Sequence, residues 1–208
     1  MISLTPMQIS SIDRRAFLGG LCGLGLAALL PVPARAMTQA QARELIGNVM
    51  TEVQGVINSG RSEAQMISEL EALFRRHGDL PVIARSALGP AARQASPAQL
   101  DAFTQAFSGY MGRKYGRQFR RFIGARADVT GARQVQSYWE VVSTMTMRGE
   151  APFEVRWHVS DRSGRHQFFN LIIEGVNLLA AERQEIGSML ERRGGSIERL
   201  IEDLRRAG

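Results

Sequence analysis

"FFNLIIEGVNLL", residues 168–179, is the stretch on which the reading of this chain turns. Apolar side chains stand on both parities of its first half: Phe168 and Ile172 on one face of a strand, Phe169, Leu171 and Ile173 on the other. A strand with one wet face alternates apolar and polar residues. This segment needs cover on both faces. Two covers are open: helices on both sides with the aromatics as core, or an apolar cavity on one side. After Gly175 the period changes to that of a helix. Leu179 to Arg193 closes at Gly194-Gly195, and Ser196 caps a last helix carrying Ile197, Leu200, Ile201 and Leu204.

Upstream, segments 126–135, 137–148, 152–160 and 166–174 read as four strands. In the third, Phe153, Val155, Trp157 and Val159 share one face while Glu154, Arg156 and His158 share the other, the mark of a half-buried strand. Gly149–Pro152 and Asp161–Arg165 are short links, which predicts an antiparallel meander for the last three strands.

The first half is helical. Thr38 caps a helix with Leu45, Val49, Val53 and Val56; Ser62 and Gln65 form a capping box before Met66, Leu70 and Leu73; "LPVIARSALG" follows Asp79. Ser96, Pro97 and Gln99 open the longest helix, residues 97–123, with Leu100, Phe103, Phe107, Tyr115, Phe119 and Phe122 among its apolar positions. Gly109, Gly112 and Gly116 inside it each cost about 1 kcal/mol relative to alanine, so a neighbour packs close there or the helix bends. Helices, then strands, then helices predict α+β: a four-stranded antiparallel sheet packed against several helices, with the apolar cavity, on the second cover, between them.

Of the 208 residues, 1–36 read as an export signal. Arg14 and Arg15 form a twin-arginine pair, Phe17 and Leu18 follow at the expected offsets, Ala16 to Leu30 is apolar, and Ala34-Arg35-Ala36 offers a cleavage site. The apolar run is too short for a membrane span of about 20 residues. Asp13 and Gly19 depart from the usual signal pattern. Cleavage leaves residues 37–208, a single domain large enough for a real core. Cys22 is the only cysteine and leaves with the signal, so the exported part makes no disulfide and no thiolate metal site. Of the net charge of +6, +2 lies in the signal. Arg113, Lys114, Arg117, Arg120, Arg121 and Arg126 form a basic run that reads as a solvated helix face, or as a contact for an anionic membrane or an acidic partner; nucleic acid is rarely met by an exported protein.

Catalytic patterns are scarce. His77, His158 and His166 have no metal-ligand spacing to one another or to a carboxylate. A pair such as Glu174 and Arg183 reads as surface charge. A cavity enzyme of the isomerase or dehydratase kind on a small α+β fold stays open as the alternative, and would want an Asp or His buried in the cavity.

"EGVNLLAAERQEIGSML" running on to "GGSIERLIEDL" resembles the C-terminal signature of the MlaC family, periplasmic phospholipid-binding proteins also described as toluene-tolerance auxiliary components of an ABC lipid transporter. "IARSALG" followed by "SPAQLDAFTQAFSGYMGRKYGRQF" resembles the family's central block, and the resemblance spans residues 40–206. Glu174-Gly175-Val176 matches the family's strand-to-helix turn, Arg183 its helix arginine and Tyr115 its helix tyrosine. Asn177 stands where the family has Ser, Phe169-Asn170 where it has Tyr-Asp, and His166-Gln167 where it has a tryptophan before the strand.

The resemblance implies a periplasmic carrier, a monomer, that shuttles phospholipid between the outer and inner membranes, with no enzymatic activity, cofactor or metal. It implies an inner-membrane MCE-domain ABC transporter complex and an outer-membrane lipoprotein complex as partners. A related branch is associated with hopanoids, which keeps a sterol-like lipid open. On this reading the pocket wall comprises Val141, Met145, Phe153, Val155, Trp157 and Ile172 from the sheet, and Val82, Ile83, Leu88, Phe107, Met111 and Tyr115 from the helices. Arg113, Lys114, Arg117, Arg120 and Arg121 are the expected membrane or partner contacts.

Overall fold

The computed structural model describes residues 36–207, which form one compact unit. The expected export signal, including Arg14, Arg15, Ala16 to Leu30 and Cys22, lies outside the described residues. The chain runs α1 (Gln39–Ile57), α2 (Glu63–His77), α3 (Leu80–Leu88), α4 (Pro97–Gly116), β1 (Arg126–Val135), β2 (Tyr138–Thr146), β3 (Phe153–Ser160), β4 (Gln167–Ile173), β5 (Val176–Asn177), α5 (Leu178–Arg192) and α6 (Ile197–Arg206). The architecture is α+β. Its antiparallel sheet has five strands in sequential order, one more than expected, because the turn at Glu174-Gly175 folds Val176 and Asn177 back onto Ile173 and Ile172.

Local chemistry sets the helix ends. Thr38, Ser62 and Ser96 each close a reciprocal capping box, with Gln41, Gln65 and Gln99. The long helix stops at Gly116, short of the expected residue 123, and Arg117–Phe122 tightens into a 3-10 helix. The cause of the glycines is α2. A Cβ on Gly116 would stand 2.5 Å from Ile67 Cγ1, and one on Gly112 would overlap the Glu71 side chain. The two helices approach closely there, and only glycine allows it.

One face of the sheet meets the helices. Val141, Ser143, Val155, Trp157 and Val159 are all buried on it, the four apolar ones in one cluster with Ile46, Phe103, Phe107, Ile186 and Leu200. Each large apolar side chain so buried stabilises the fold by about 1.5–3 kcal/mol before entropy is counted. Ser143 is the polar exception: its hydroxyl donates to the Val155 carbonyl (3.2 Å) and accepts from Trp157 Nε1 (3.0 Å), so both buried groups are satisfied. The opposite face carries Glu140, Glu154, Arg156 and His158.

β4 departs from simple alternation. His158 faces Asn170 and Val159 faces Phe168, so a bulge inserts Phe169 between them. The insertion flips the parity of everything before it. Phe168 therefore joins Leu171 and Ile173 on the helix side, where its ring lies 5.5 Å from that of Trp157. Phe169 sits on the other side, 5.4 Å from the Tyr138 ring and 5.7 Å from His158. The expected pairing of Phe168 with Ile172 is corrected accordingly.

Candidate functional site

The sheet register gathers five of the six expected wall residues. Val141 faces Trp157, Ser143 faces Val155 and Met145 faces Phe153, so Val141, Met145, Phe153, Val155 and Trp157 share the helix-facing side. Ile172 does not join them. It pairs with Arg156 and with Asn177 on the opposite face, because adjacent residues of a strand point to opposite sides.

From the helices, Ile83, Leu88 and Phe107 are buried in the core cluster. Met111 and Tyr115 are half-buried. Val82 is 40% exposed: the inward stripe of α3 is Ile83, Ala84, Ala87 and Leu88, which leaves Val82 on the solvent side. The middle of the sheet's inner face is filled by side chains. Toward one end it loosens, and Met145, Phe153, Leu171 and Ile173 are only half-buried. That end is where β1 begins, β2 ends, β3 begins and β4 ends. The Phe122 ring lies 6.4 Å from Phe153 there, and Ile123 and Val176 are 58% and 57% exposed at the same end. An open groove of about 430 Å³ lies elsewhere, between α1 and α2, lined by Glu52, Arg61, Glu69 and Arg76 among others; none of the expected wall residues borders it.

The basic run divides. Arg113 turns toward the end of α6, donating from Nε to the Ala207 carbonyl (2.9 Å) and from its guanidinium to that of Leu204 (2.6 Å). It caps that helix's unpaired carbonyls. Lys114 points toward α5. Arg120 and Arg121 are well exposed and stand at 3.6 Å from Glu63 and 3.9 Å from Glu150. Arg117 is exposed. Arg113 and Lys114 thus serve the fold's own carbonyls and carboxylates, and the outward basic surface is Arg117, Arg120 and Arg121.

Lys114 belongs to a cluster that the sequence reading missed. Its Nζ donates to Glu182 Oε1 (2.7 Å) and to Glu185 Oε2 (2.5 Å). Tyr115 donates to Glu182 Oε1 and Tyr110 to Glu185 Oε1, both at 2.5 Å. Glu182 is 1% exposed. Burial pushes the Tyr110 hydroxyl up, its bond to Glu185 adds to this, and its pKa reaches about 12. Burial and the bond to Glu182 raise Tyr115 further. Burial opposes the charge on Lys114, but its carboxylate partners outweigh that and raise its pKa. In the sequence, "AAERQE" looks like an exposed helix face; the one available signal was the family match at Tyr115. Arg183 lies against Gly89, where a Cβ would stand 3.2 Å from its Nε; Gly89 has φ +64°, so no other residue fits easily.

Of the histidines, His77 Nε2 stands 3.0 Å from Glu52 Oε1, His158 Nε2 3.5 Å from Glu140 Oε2, and His166 is exposed. Among the described residues no group of His, Cys, Asp and Glu could hold a metal ion, and no helix is long and apolar enough to cross a membrane.

The MlaC protein family model matches residues 47–206. Among solved structures, the fold matches a phospholipid-binding protein from Ralstonia solanacearum, solved in complex with a phospholipid, at TM-score 0.69 and 17% identity, over 79% of this chain and 95% of that one.

Proposed function

This chain belongs to the MlaC family, and from that premise we propose that it is a phospholipid carrier of the periplasm. The observation that carries the reading is the loosened end of the sheet, where Met145, Phe153, Leu171 and Ile173 present a continuous, incompletely covered apolar surface on the inner face. The structural relative bound to a phospholipid shares this fold. Burying one methylene is worth about 0.8 kcal/mol, so a tail of ~16 carbons gains on the order of 10 kcal/mol gross by leaving water. Such a gain needs neither covalent chemistry nor a metal.

On this reading the lipid moves between the outer and inner membranes, and an MCE-domain ABC transporter and an outer-membrane lipoprotein complex exchange it with the carrier. Arg117, Arg120 and Arg121 offer the outward positive charge for an anionic membrane or an acidic docking surface. The twin-arginine pair Arg14-Arg15 supplies the route out of the cytoplasm.

Native mass spectrometry of the purified exported protein tests the proposal. The expected spectrum shows a discrete increment of one or more diacyl lipids. Met145→Arg places a charge at the loosened end of the inner face and should abolish that increment while helix content stays unchanged. A protein that carries no lipid, and takes none from phospholipid vesicles, would refute the carrier reading.

A further inference from the structure

Removing a carboxylate from water costs several kcal/mol unless its lone pairs are satisfied. Glu182 meets only half of that condition. Oε1 accepts from Lys114 and Tyr115, while Oε2 is buried with no hydrogen-bond partner. Ser108, 4% exposed, likewise has a buried Oγ with no partner. Ser108, Met111 and Tyr115 stand at i, i+3 and i+7 of α4, one stripe of that helix, and the stripe ends at the Tyr115 hydroxyl bound to Glu182. Orphaned buried groups ask for an explanation, and a carboxylate oxygen asks for a donor.

The position of the cluster narrows the choice. α4 runs through the short Arg117–Phe122 helix into the start of β1, and α5 begins directly after β5. β5 pairs with Ile172 and Ile173, and Glu182 in the second turn of α5 binds Lys114 and Tyr115 of the last turn of α4, so the cluster lies on the side of the sheet's Ile173 end. With tails between sheet and helices, the polar head of a lipid comes to rest here. Two carboxylates against one ammonium leave the cluster with a net negative charge. It favours a head that brings positive charge, and Oε2 requires that charge to carry an N–H.

We propose that Glu182, with Lys114 and Tyr115, is a head-group site that selects phospholipids bearing a primary ammonium. The inference rests on the carrier reading above. A quaternary ammonium matches the charge but has no hydrogen to donate, and an anionic glycerol head matches neither.

The test is competition among three phospholipids of identical acyl chains, with ethanolamine, choline and glycerol heads, supplied in equal parts in vesicles and read as bound lipid by native mass spectrometry. The purified protein should enrich the ethanolamine lipid roughly tenfold, the lower bound for a hydrogen bond to a charged group. Glu182→Gln keeps the side chain's size and should lose that enrichment while still binding lipid. Lipids taken in proportion to supply by the unaltered protein would overturn the proposal, even if Glu182→Gln fails to fold. Undiminished selection by a folded Glu182→Gln would overturn it too. Absence of any bound lipid would overturn the carrier reading, and with it this one.

Discussion

Lys114 Nζ lies 2.7 Å from Glu182 Oε1, a contact between residues 68 positions apart that joins the last turn of α4 to the second turn of α5. The only lysine of the chain thus neutralises its most deeply buried described carboxylate. Removing one partner of such a pair leaves an uncompensated charge inside the protein. Lys114→Met should destabilise the fold by about 3 kcal/mol, the lower end of the range for breaking a buried pair. Urea unfolding reads this directly, and a loss below about 1 kcal/mol, the value of an exposed pair, would show that Glu182 finds its charge balance elsewhere.

The same cluster sets an alkaline limit. Tyr110 binds its proton more tightly in the folded protein, with a pKa of about 12 against 10.0 in the unfolded chain, and Tyr115 and Lys114 shift in the same direction. Their contribution is complete below pH 10 and falls as pH rises through the folded values. Absorbance of tyrosinate, followed against pH, should show Tyr110 ionising near 12 in the folded protein. Tyr110→Phe should remove that late step, and its persistence in the variant would reassign it.

Acid acts on the other face of the sheet. Burial lowers the pKa of His158, and the nearby Glu140 offsets this only in part. The unfolded chain therefore takes up its proton first, so the stability due to neutral His158 is present above pH 6.5 and is lost as pH falls through the lower folded value. Glu140 adds to the loss below pH 4.5: burial disfavours its charge, but Arg133 outweighs burial and holds its carboxyl low. Unfolding midpoints should drop between pH 7.5 and pH 5.5, and His158→Gln should flatten that slope. Equal slopes in both proteins would exclude His158 as the source.

Two glycines of α4 should respond in opposite ways. Gly116→Ala forces a methyl against Ile67, and overpacking of this kind costs about 1–3 kcal/mol. Gly109 meets only the far end of the Arg113 side chain, at 3.0 Å, where a shift of a few tenths of an ångström admits a methyl, so Gly109→Ala should recover part of the ~1 kcal/mol that alanine gains over glycine in a helix. Thermal melts of the two variants should move in opposite directions. A common direction would contradict the close approach of α2 and α4.

Much of this molecule is local in origin. Ser62 with Gln65, and Ser96 with Pro97 and Gln99, start α2 and α4 where they stand, because a cap needs only residues three or four positions away. Phe153, Val155, Trp157 and Val159 declare the buried face of β3 through a period of two. Order of elements, the α+β class and the shared face of Val141, Met145, Phe153, Val155 and Trp157 were legible on those grounds. Other features arise only when distant segments meet. The bulge at Phe169 exists because β4 must register against β3, and it moved Phe168 to the helix side. α4 stops at Gly116, where α2 presses on it. Lys114 looked like part of a solvated basic run, and nothing in the sequence marked Glu182. Only the packing of α5 beside α4 buries one and turns the other inward, since the cost of dehydrating a carboxylate is met by a cation far away in the chain. Helix starts and the buried face of β3 were therefore written in the sequence, while the end of α4, the faces of β4 and the buried charge at the candidate site were decided by tertiary packing.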